Sequence, residues 1–145
     1  MRSEGFTLVE LIVVLAILAG LAALVAPSFS RTVASARLRT AASDVRSTFA
    51  RARALAVASA RERSAVFDLS KGEFGVDNEA VRRLPEAIRL GAVLPGEERR
   101  EQGSVRIRFF PDGGGEEAEI SVTAEDGGAL RVTVDPLTGL SEAGT

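Results

Sequence analysis

The sequence predicts an α+β fold in which one long N-terminal helix packs on a small head of antiparallel β-sheet. An apolar run, followed by an alanine- and arginine-rich stretch, keeps helical periodicity to about residue 63. Beyond residue 64, short segments alternate apolar and polar side chains, as half-buried strands do. Glycine-rich turns separate these segments, which favours hairpins.

The composition excludes several classes of function. Among the 145 residues there is no cysteine, histidine, tyrosine or tryptophan, and Lys71 is the single lysine. Disulfides, thiol nucleophiles and thiolate metal sites are therefore impossible, and the commonest general base is missing. We expect neither an enzyme nor a cofactor.

Charge is divided unevenly along the chain. Residues 31–63 hold eight arginines against Asp44 and Glu62, whereas residues 64–145 hold nine basic and sixteen acidic side chains. The chain therefore has a basic helical neck and an acidic head.

The first helical segment is apolar enough to enter a bilayer. From Phe6 to Ala26 only Thr7, Glu10 and Gly20 interrupt the apolar run, and about 20 such residues cross the hydrocarbon core. A cleaved signal peptide fits poorly, because the run is long and the first five residues carry one arginine offset by an acid. An ordinary anchor with Glu10 near the interface remains an alternative.

A carboxylate inside such a segment needs a partner. If the chain were cut between Gly5 and Phe6, the new α-amine would stand four residues before Glu10, on the same helical face. The carboxylate could also reach the amine of a neighbouring copy. Either pairing would offset much of the cost of burying Glu10 in a medium of low dielectric constant.

Gly5-Phe6-Thr7-Leu8-Val9-Glu10, followed by an apolar helix, resembles the processing signal of type IV pilins and type II secretion pseudopilins. The resemblance implies that a prepilin peptidase cuts after Gly5 and N-methylates Phe6. It implies that Glu10 pairs with the N-terminal amine of an adjacent subunit during assembly. Pro27 stands where these proteins commonly kink the helix.

This resemblance sets the expected organisation of the chain. We expect a leader at 1–5, a transmembrane and assembly helix at 6–27, an amphipathic helix at 28–63 and a β head at 64–145. The implied location is the bacterial inner membrane, crossed once, with the head in the periplasm. The positive-inside rule alone would place the arginine-rich side in the cytoplasm.

The neck carries one apolar stripe at helical spacing, formed by Leu38, Val45, Phe49, Ala52 and Ala56. Arginines 39, 46 and 53 flank it on one side, and Arg37, Asp44 and Arg51 flank it on the other. We expect the stripe to pack on the head and the arginines to be solvated. Phosphate contact and pairing with acidic surfaces of neighbouring subunits are the alternatives.

The head contains six predicted strands. Turn signals such as Lys71-Gly72, Pro95-Gly96 and Asp126-Gly127-Gly128 separate them. The strands are predicted at residues 65–69, 73–76, 88–94, 105–109, 118–123 and 130–134.

The stretch from Ile107 to Gly139 is similar to the head of the H-type minor pseudopilin of type II secretion and its pilus counterpart, the GspH/FimT family. An alternating strand ends in Phe-Pro-Asp-Gly, a Gly-Gly hairpin follows, and "DPLTG" closes the pattern. Members implicated in DNA uptake tend to place arginines after the final Thr-Gly. Here Leu140, Ser141 and Glu142 follow, so nucleic acid is not an expected partner.

Acidic turns raise the question of a metal site. Asp112, Glu116, Glu117 and Glu119 lie near glycines, and Asp77-Asn78-Glu79 also offers oxygen ligands for calcium. No EF-hand spacing is present. Solvated turns are the favoured interpretation, and we assign no metal.

The sequence as a whole predicts a minor pseudopilin, a structural subunit of the periplasmic pseudopilus of a type II secretion system. Its expected partners are other pseudopilins through the N-terminal helix, the prepilin peptidase, the inner membrane and the inner-membrane assembly platform. A minor pilin of a type IV pilus, acting in initiation or DNA uptake, is the alternative. A membrane-anchored enzyme and a secreted binding domain are the rivals from other classes.

Overall fold

A single 52-residue helix, α1 (Leu8–Ser59), begins the computed structural model. The structure describes residues 7–144, and within α1 it describes no side chains from 23 to 31. The chain forms two compact units, Met1–Ala34 and Ser35–Thr145. The backbone is helical through both Gly20 and Pro27, so the expected kink at Pro27 stays a prediction.

The helix ends at Ser59, four residues before the expected boundary at 63. Ala60 adopts a positive φ of 50°. Its N–H bonds to the carbonyl of Val57 at 3.4 Å, and the N–H of Arg61 bonds to that of Ala56 at 3.3 Å. This is a Schellman ending, which usually places glycine at the left-handed position. Because alanine stands there instead of glycine, no residue marks the helix end in the sequence, and the helix was predicted to continue to residue 63.

Eight strands follow α1 and form two four-stranded antiparallel sheets. One sheet has the order β3-β2-β1-β5 and the other β4-β6-β7-β8. The strands are β1 (Arg63–Asp68), β2 (Glu73–Val76), β3 (Arg82–Arg83), β4 (Ile88–Val93), β5 (Ser104–Phe109), β6 (Ala118–Ala124), β7 (Ala129–Val134) and β8 (Ser141–Gly144).

All six predicted strands are present, each within two residues of its expected bounds. The sequence missed β3 and β8, which lie at sheet edges. β3 has two residues and pairs Arg82 with Phe74. β8 carries "SEAG" and pairs Ser141 with Val134. Neither segment has a run of β-branched residues, so its extended form depends on the neighbouring strand.

The stripe of α1 packs on the head, as predicted. Its five members are all buried. Phe49 lies at the centre, with its ring centroid 5.4 Å from that of Phe67 in β1 and 5.9 Å from that of Phe109 in β5. Tilted aromatic pairs at this separation add to the hydrophobic stabilisation from burial. Ala41, Ala42 and Thr48 are buried beside them.

Arg53 ties α1 to two loops of the head. Its Nε–H donates to the carbonyl oxygen of Gly113 at 2.8 Å and to that of Thr138 at 2.9 Å. Gly139 has a φ of 61°, and a Cβ added there would overlap the carbonyl oxygen of Gly113. The close approach of the two loops therefore requires glycine at 139.

The second of these loops is ordered by its own carboxylate. The Asp135 carboxylate accepts hydrogen bonds from the N–H groups of Leu137 and Thr138, both at 2.9 Å, and from the hydroxyl of Thr138 at 3.1 Å. The bonds from Thr138 are the main cause that holds the pKa of Asp135 below its ordinary value. The "DPLTG" pattern is thus a capped turn that presents the Thr138 carbonyl to Arg53.

The first prediction concerns the helix end. Ala60→Gly removes a strained left-handed alanine, so we expect the free energy of unfolding to rise by about 0.5–1 kcal/mol. Urea unfolding of the detergent-solubilised chain measures it. Ser59→Gly is the control and lowers stability, because that residue is helical. The same change in the free energy of unfolding for both variants would show that Ala60 is not strained at the helix end.

The second prediction separates loop contact from backbone strain. Gly139 and Gly127 both have positive φ, 61° and 87°, but no atom lies within 4 Å of a Cβ added at Gly127. Gly139→Ala should therefore destabilise the head by about 1–3 kcal/mol more than Gly127→Ala does. Thermal unfolding of the two variants measures the difference, and equal losses would show that the loops do not need close contact.

Candidate assembly site

The first turn of α1 is built by Thr7 and Glu10. The Glu10 N–H donates to the Thr7 side-chain oxygen at 3.2 Å, and the Leu11 N–H donates to the Thr7 carbonyl at 3.2 Å. Thr7 is therefore the N-cap, and Glu10 occupies the third helical position. The spacing Thr-x-x-Glu is that of a capping box. Sequence reasoning found Glu10 but missed Thr7, although the Thr-x-x-Glu spacing was a signal for it.

Large apolar side chains surround this first turn and continue along the helix. Their exposed fractions run from 45% at Val14 to 74% at Leu8. Because five consecutive residues, 11–15, are among them, the apolar surface covers every face of the helix rather than one stripe. The exposed set is Leu8, Val9, Leu11, Ile12, Val13, Val14, Leu15, Ile17, Leu18 and Leu21. An exposed apolar surface of this extent is typical of a helix that contacts lipid or an apolar protein neighbour.

Within the described part of the chain, no helix is both long and apolar enough to span a membrane.

Glu10 stands in this apolar surface without a charge partner. Its side chain is exposed, and no ion pair joins it to any residue whose side chain the structure describes. An ionised carboxylate that moves into an apolar medium in this state loses its hydration and gains nothing in return.

The other predicted site residues are placed as follows. Gly5 and Phe6, the expected cleavage and methylation positions, lie outside the described residues. Pro27 lies in the helical backbone, and its ring is not described. The structure thus brings together Thr7 and Glu10 and leaves the cleavage site and the kink as predictions.

Two charged groups on the neck are paired within the chain. Arg51 forms a bidentate pair with Glu79, at 2.5 and 2.8 Å. The hydrogen bond from Arg51 is the main cause that keeps the pKa of Glu79 below its ordinary value. Asp44 accepts from the Arg82 guanidinium at 2.7 Å. These pairs tie one flank of α1, beside the buried stripe, to the region of β2 and β3.

The acidic turns considered as metal ligands are engaged in other contacts. Glu116 binds Arg108 through its side chain and accepts from the Arg108 N–H at 2.9 Å. Burial raises the pKa of Glu116, but these contacts outweigh it and the pKa is lowered. Asp112 caps the N–H of Gly114 at 2.9 Å. In residues 7–144 no group of three or more acidic side chains is arranged to hold a metal ion.

Comparisons with known proteins agree with this combination of helix and head. Residues 41–138 match the family model of the type II transport protein GspH, and residues 1–26 match the prokaryotic N-terminal methylation motif. No curated protein sequence matches the chain.

Two solved structures share the fold. The crystal structure of the minor pseudopilin EpsH from the type II secretion system of Vibrio cholerae superposes with a TM-score of 0.61 at 13% identity, covering 74% of this chain and 92% of that one. A second structure of EpsH superposes with a TM-score of 0.59 at 12% identity, covering 75% of this chain and 97% of that one. At these identities the likeness establishes the fold.

The processing motif, the apolar first helix and the two-sheet head define a pseudopilin, a structural and non-enzymatic subunit. The matched segment covers more than half of the residues. The chain belongs to the GspH family, the minor pseudopilins of type II secretion. Membership implies assembly with other pseudopilins and processing by a prepilin peptidase.

Proposed function

We propose that this chain is cut between Gly5 and Phe6, methylated on the Phe6 amine, and assembled into a pseudopilus through the apolar part of α1. Before assembly the helix resides in the inner membrane, with the head in the periplasm. After assembly it packs among the helices of other pseudopilins. The inner-membrane assembly platform receives it, and no nucleic acid takes part.

The carboxylate of Glu10, exposed on an apolar surface and without an ion-pair partner in the described part of the chain, is the observation that supports this proposal. A carboxylate in the apolar part of a membrane helix is costly unless it is paired, and such residues are rare there for that reason. A neighbouring α-amine supplies the opposite charge and N–H donors for the carboxylate oxygens. The helical backbone at Glu10 is fixed by the bond to Thr7, so little conformational entropy is lost when the amine binds.

The order of events follows from the same chemistry. Before the cut, the nitrogen of Phe6 belongs to a peptide bond and carries no charge. Cleavage converts it into an amine that is protonated at neutral pH. The docking pair with Glu10 therefore becomes available only after processing.

The neighbourhood of β8 supports secretion over DNA uptake. Glu142 lies in β8, shortly after the loop that Arg53 binds, and it is exposed without an ion-pair partner among the described residues. This carboxylate repels phosphate. It stands where the pilus relatives that take up DNA tend to carry arginines.

The third prediction concerns processing. In membranes that contain a prepilin peptidase, the mature chain begins at Phe6 with one methyl group on its amine, and Gly5→Leu blocks the cut. Mass spectrometry of the intact chain measures both. A mature N-terminus near Ala23 would identify a cleaved signal peptide and reject the proposal.

The fourth prediction concerns docking. Glu10→Ala and Glu10→Gln remain processed, but their incorporation falls at least about tenfold, because an amine is left unpaired in an apolar surrounding. Crosslinking to neighbouring pseudopilins in membranes measures incorporation. Leu11→Ala is the comparison variant: it removes one apolar contact from the same assembly surface but keeps the charge, so its loss of incorporation should be much smaller. Normal incorporation of Glu10→Gln would reject the charge pair.

A further inference from the structure

The outer face of α1 in the neck is left uncovered by the head. It consists of small side chains at helical spacing, all exposed, and Arg39 and Arg46 border it on one side. We call it the arginine-bordered face. Its small residues are Ala36, Thr40, Ser43, Ser47 and Ala50. A partner can approach the helix backbone closely along such a face, because no long side chain stands in between.

The five arginines of α1 between residues 35 and 59 fall into two groups. Arg51 and Arg53 are used inside the chain, by Glu79 and by two loop carbonyls. Arg37, Arg39 and Arg46 are exposed, and none has a hydrogen-bond or ion-pair partner among the described residues. Asp44, the acid of this helical stretch, is already paired with Arg82. The arginine-bordered face therefore presents uncompensated positive charge.

Two of the three hydroxyls on this face, those of Thr40 and Ser47, already have acceptors within the helix. The Thr40 hydroxyl donates to the Ala36 carbonyl at 3.0 Å, and the Ser47 hydroxyl donates to the Asp44 carbonyl at 2.8 Å. A partner that covers these hydroxyls removes no unsatisfied donor from water. The unmet requirement is that of the arginines, which need carboxylates.

We propose that the arginine-bordered face docks an acidic surface on another pseudopilin of the same secretion system. This inference rests on the proposed function and names a second contact for it, on the head side of α1. Arg39 and Arg46 lie two helical turns apart, about 10.5 Å along the axis. The partner surface therefore presents two carboxylates at about that spacing.

The signs of the charges decide between protein partners. The same face on a second copy would bring arginine against arginine, which is repulsive. An acidic pseudopilin head is complementary. The head of this chain is acidic as well, because Glu98, Glu117 and Glu125 are exposed without ion-pair partners among the described residues, so the crosslinking experiment below has to distinguish a different pseudopilin from a second copy. Nucleic acid is disfavoured, because the face carries no aromatic side chain for base stacking.

The fifth prediction tests this contact in the full chain, co-expressed in membranes with the other pseudopilins of its system. A photo-crosslinking amino acid replaces Ser43, at the centre of the face, or Gln102, an exposed head position, as the control. The probe at 43 should join a different pseudopilin through a peptide that contains Asp or Glu. No adduct, or adducts of equal yield at both positions, would overturn the proposal.

A matched pair of charge reversals gives the second measurement. Arg39→Glu with Arg46→Glu should lower the adduct yield roughly tenfold at low ionic strength, and added salt should weaken the wild-type adduct. Arg89→Glu with Arg106→Glu makes the same change in net charge on the head, at arginines that are also exposed and without ion pairs. This control variant should keep the adduct yield within about twofold of the wild-type yield, because exposed charges away from the contact contribute little.

The outcomes separate this contact from the proposed function. Failure of the proposed function shows as a wild-type chain that is not processed at Gly5-Phe6. If this inference is wrong, the chain is processed normally, and the two charge-reversal variants lose the same fraction of the crosslinked adduct. An adduct to a second copy would assign the face to self-association and overturn the inference. Binding of a duplex oligonucleotide would also overturn it, if the variant changed at Arg39 and Arg46 alone loses that binding. All four arginines are exposed, so thermal unfolding of both variants should match the wild type.

Discussion

Burial of one helical stripe holds the head together. The two sheets are separate hydrogen-bonded ladders, so side chains rather than strand pairing must join them. Phe49 packs on the first sheet, and Leu38 lies beside the β6–β7 hairpin of the second. A buried phenylalanine of this kind stabilises a domain by about 3–5 kcal/mol relative to alanine. The helix is thus part of the core of the head as well as the assembly element.

The division of labour on α1 follows from this packing. The inner face of the helix is buried against the head. The outer face and the first turns are therefore accessible to other molecules. In the neck the outer face is small and basic, and in the first turns the surface is apolar all round. The same helix therefore presents two chemically different surfaces at two positions along its length, each suited to a different kind of contact.

The sequence predicted the stripe and six strands, because apolar periodicity records which side of an element is buried. It missed features whose cause lies elsewhere in the fold. Ala60 gave no glycine signal at the helix end, and "SEAG" is extended because β7 pairs with it. Arg53 looked like a solvated arginine, because its two carbonyl acceptors are remote in sequence. At the site, the motif located Glu10, but its expected partner comes from another chain and cannot be read from this one.

The contact between Arg53 and Thr138 joins residues 85 positions apart. It closes a loop that contains β1 to β7, so it cannot form until β7 and the turn after it have been synthesised. Because the chain is synthesised from its N-terminus, Arg53 has neither carbonyl acceptor until the loops at Gly113 and Thr138 exist. This turn is therefore among the last parts of the head to reach α1, and its contact with Arg53 takes one cation of the helix partly out of solvent while Arg39 and Arg46 stay exposed.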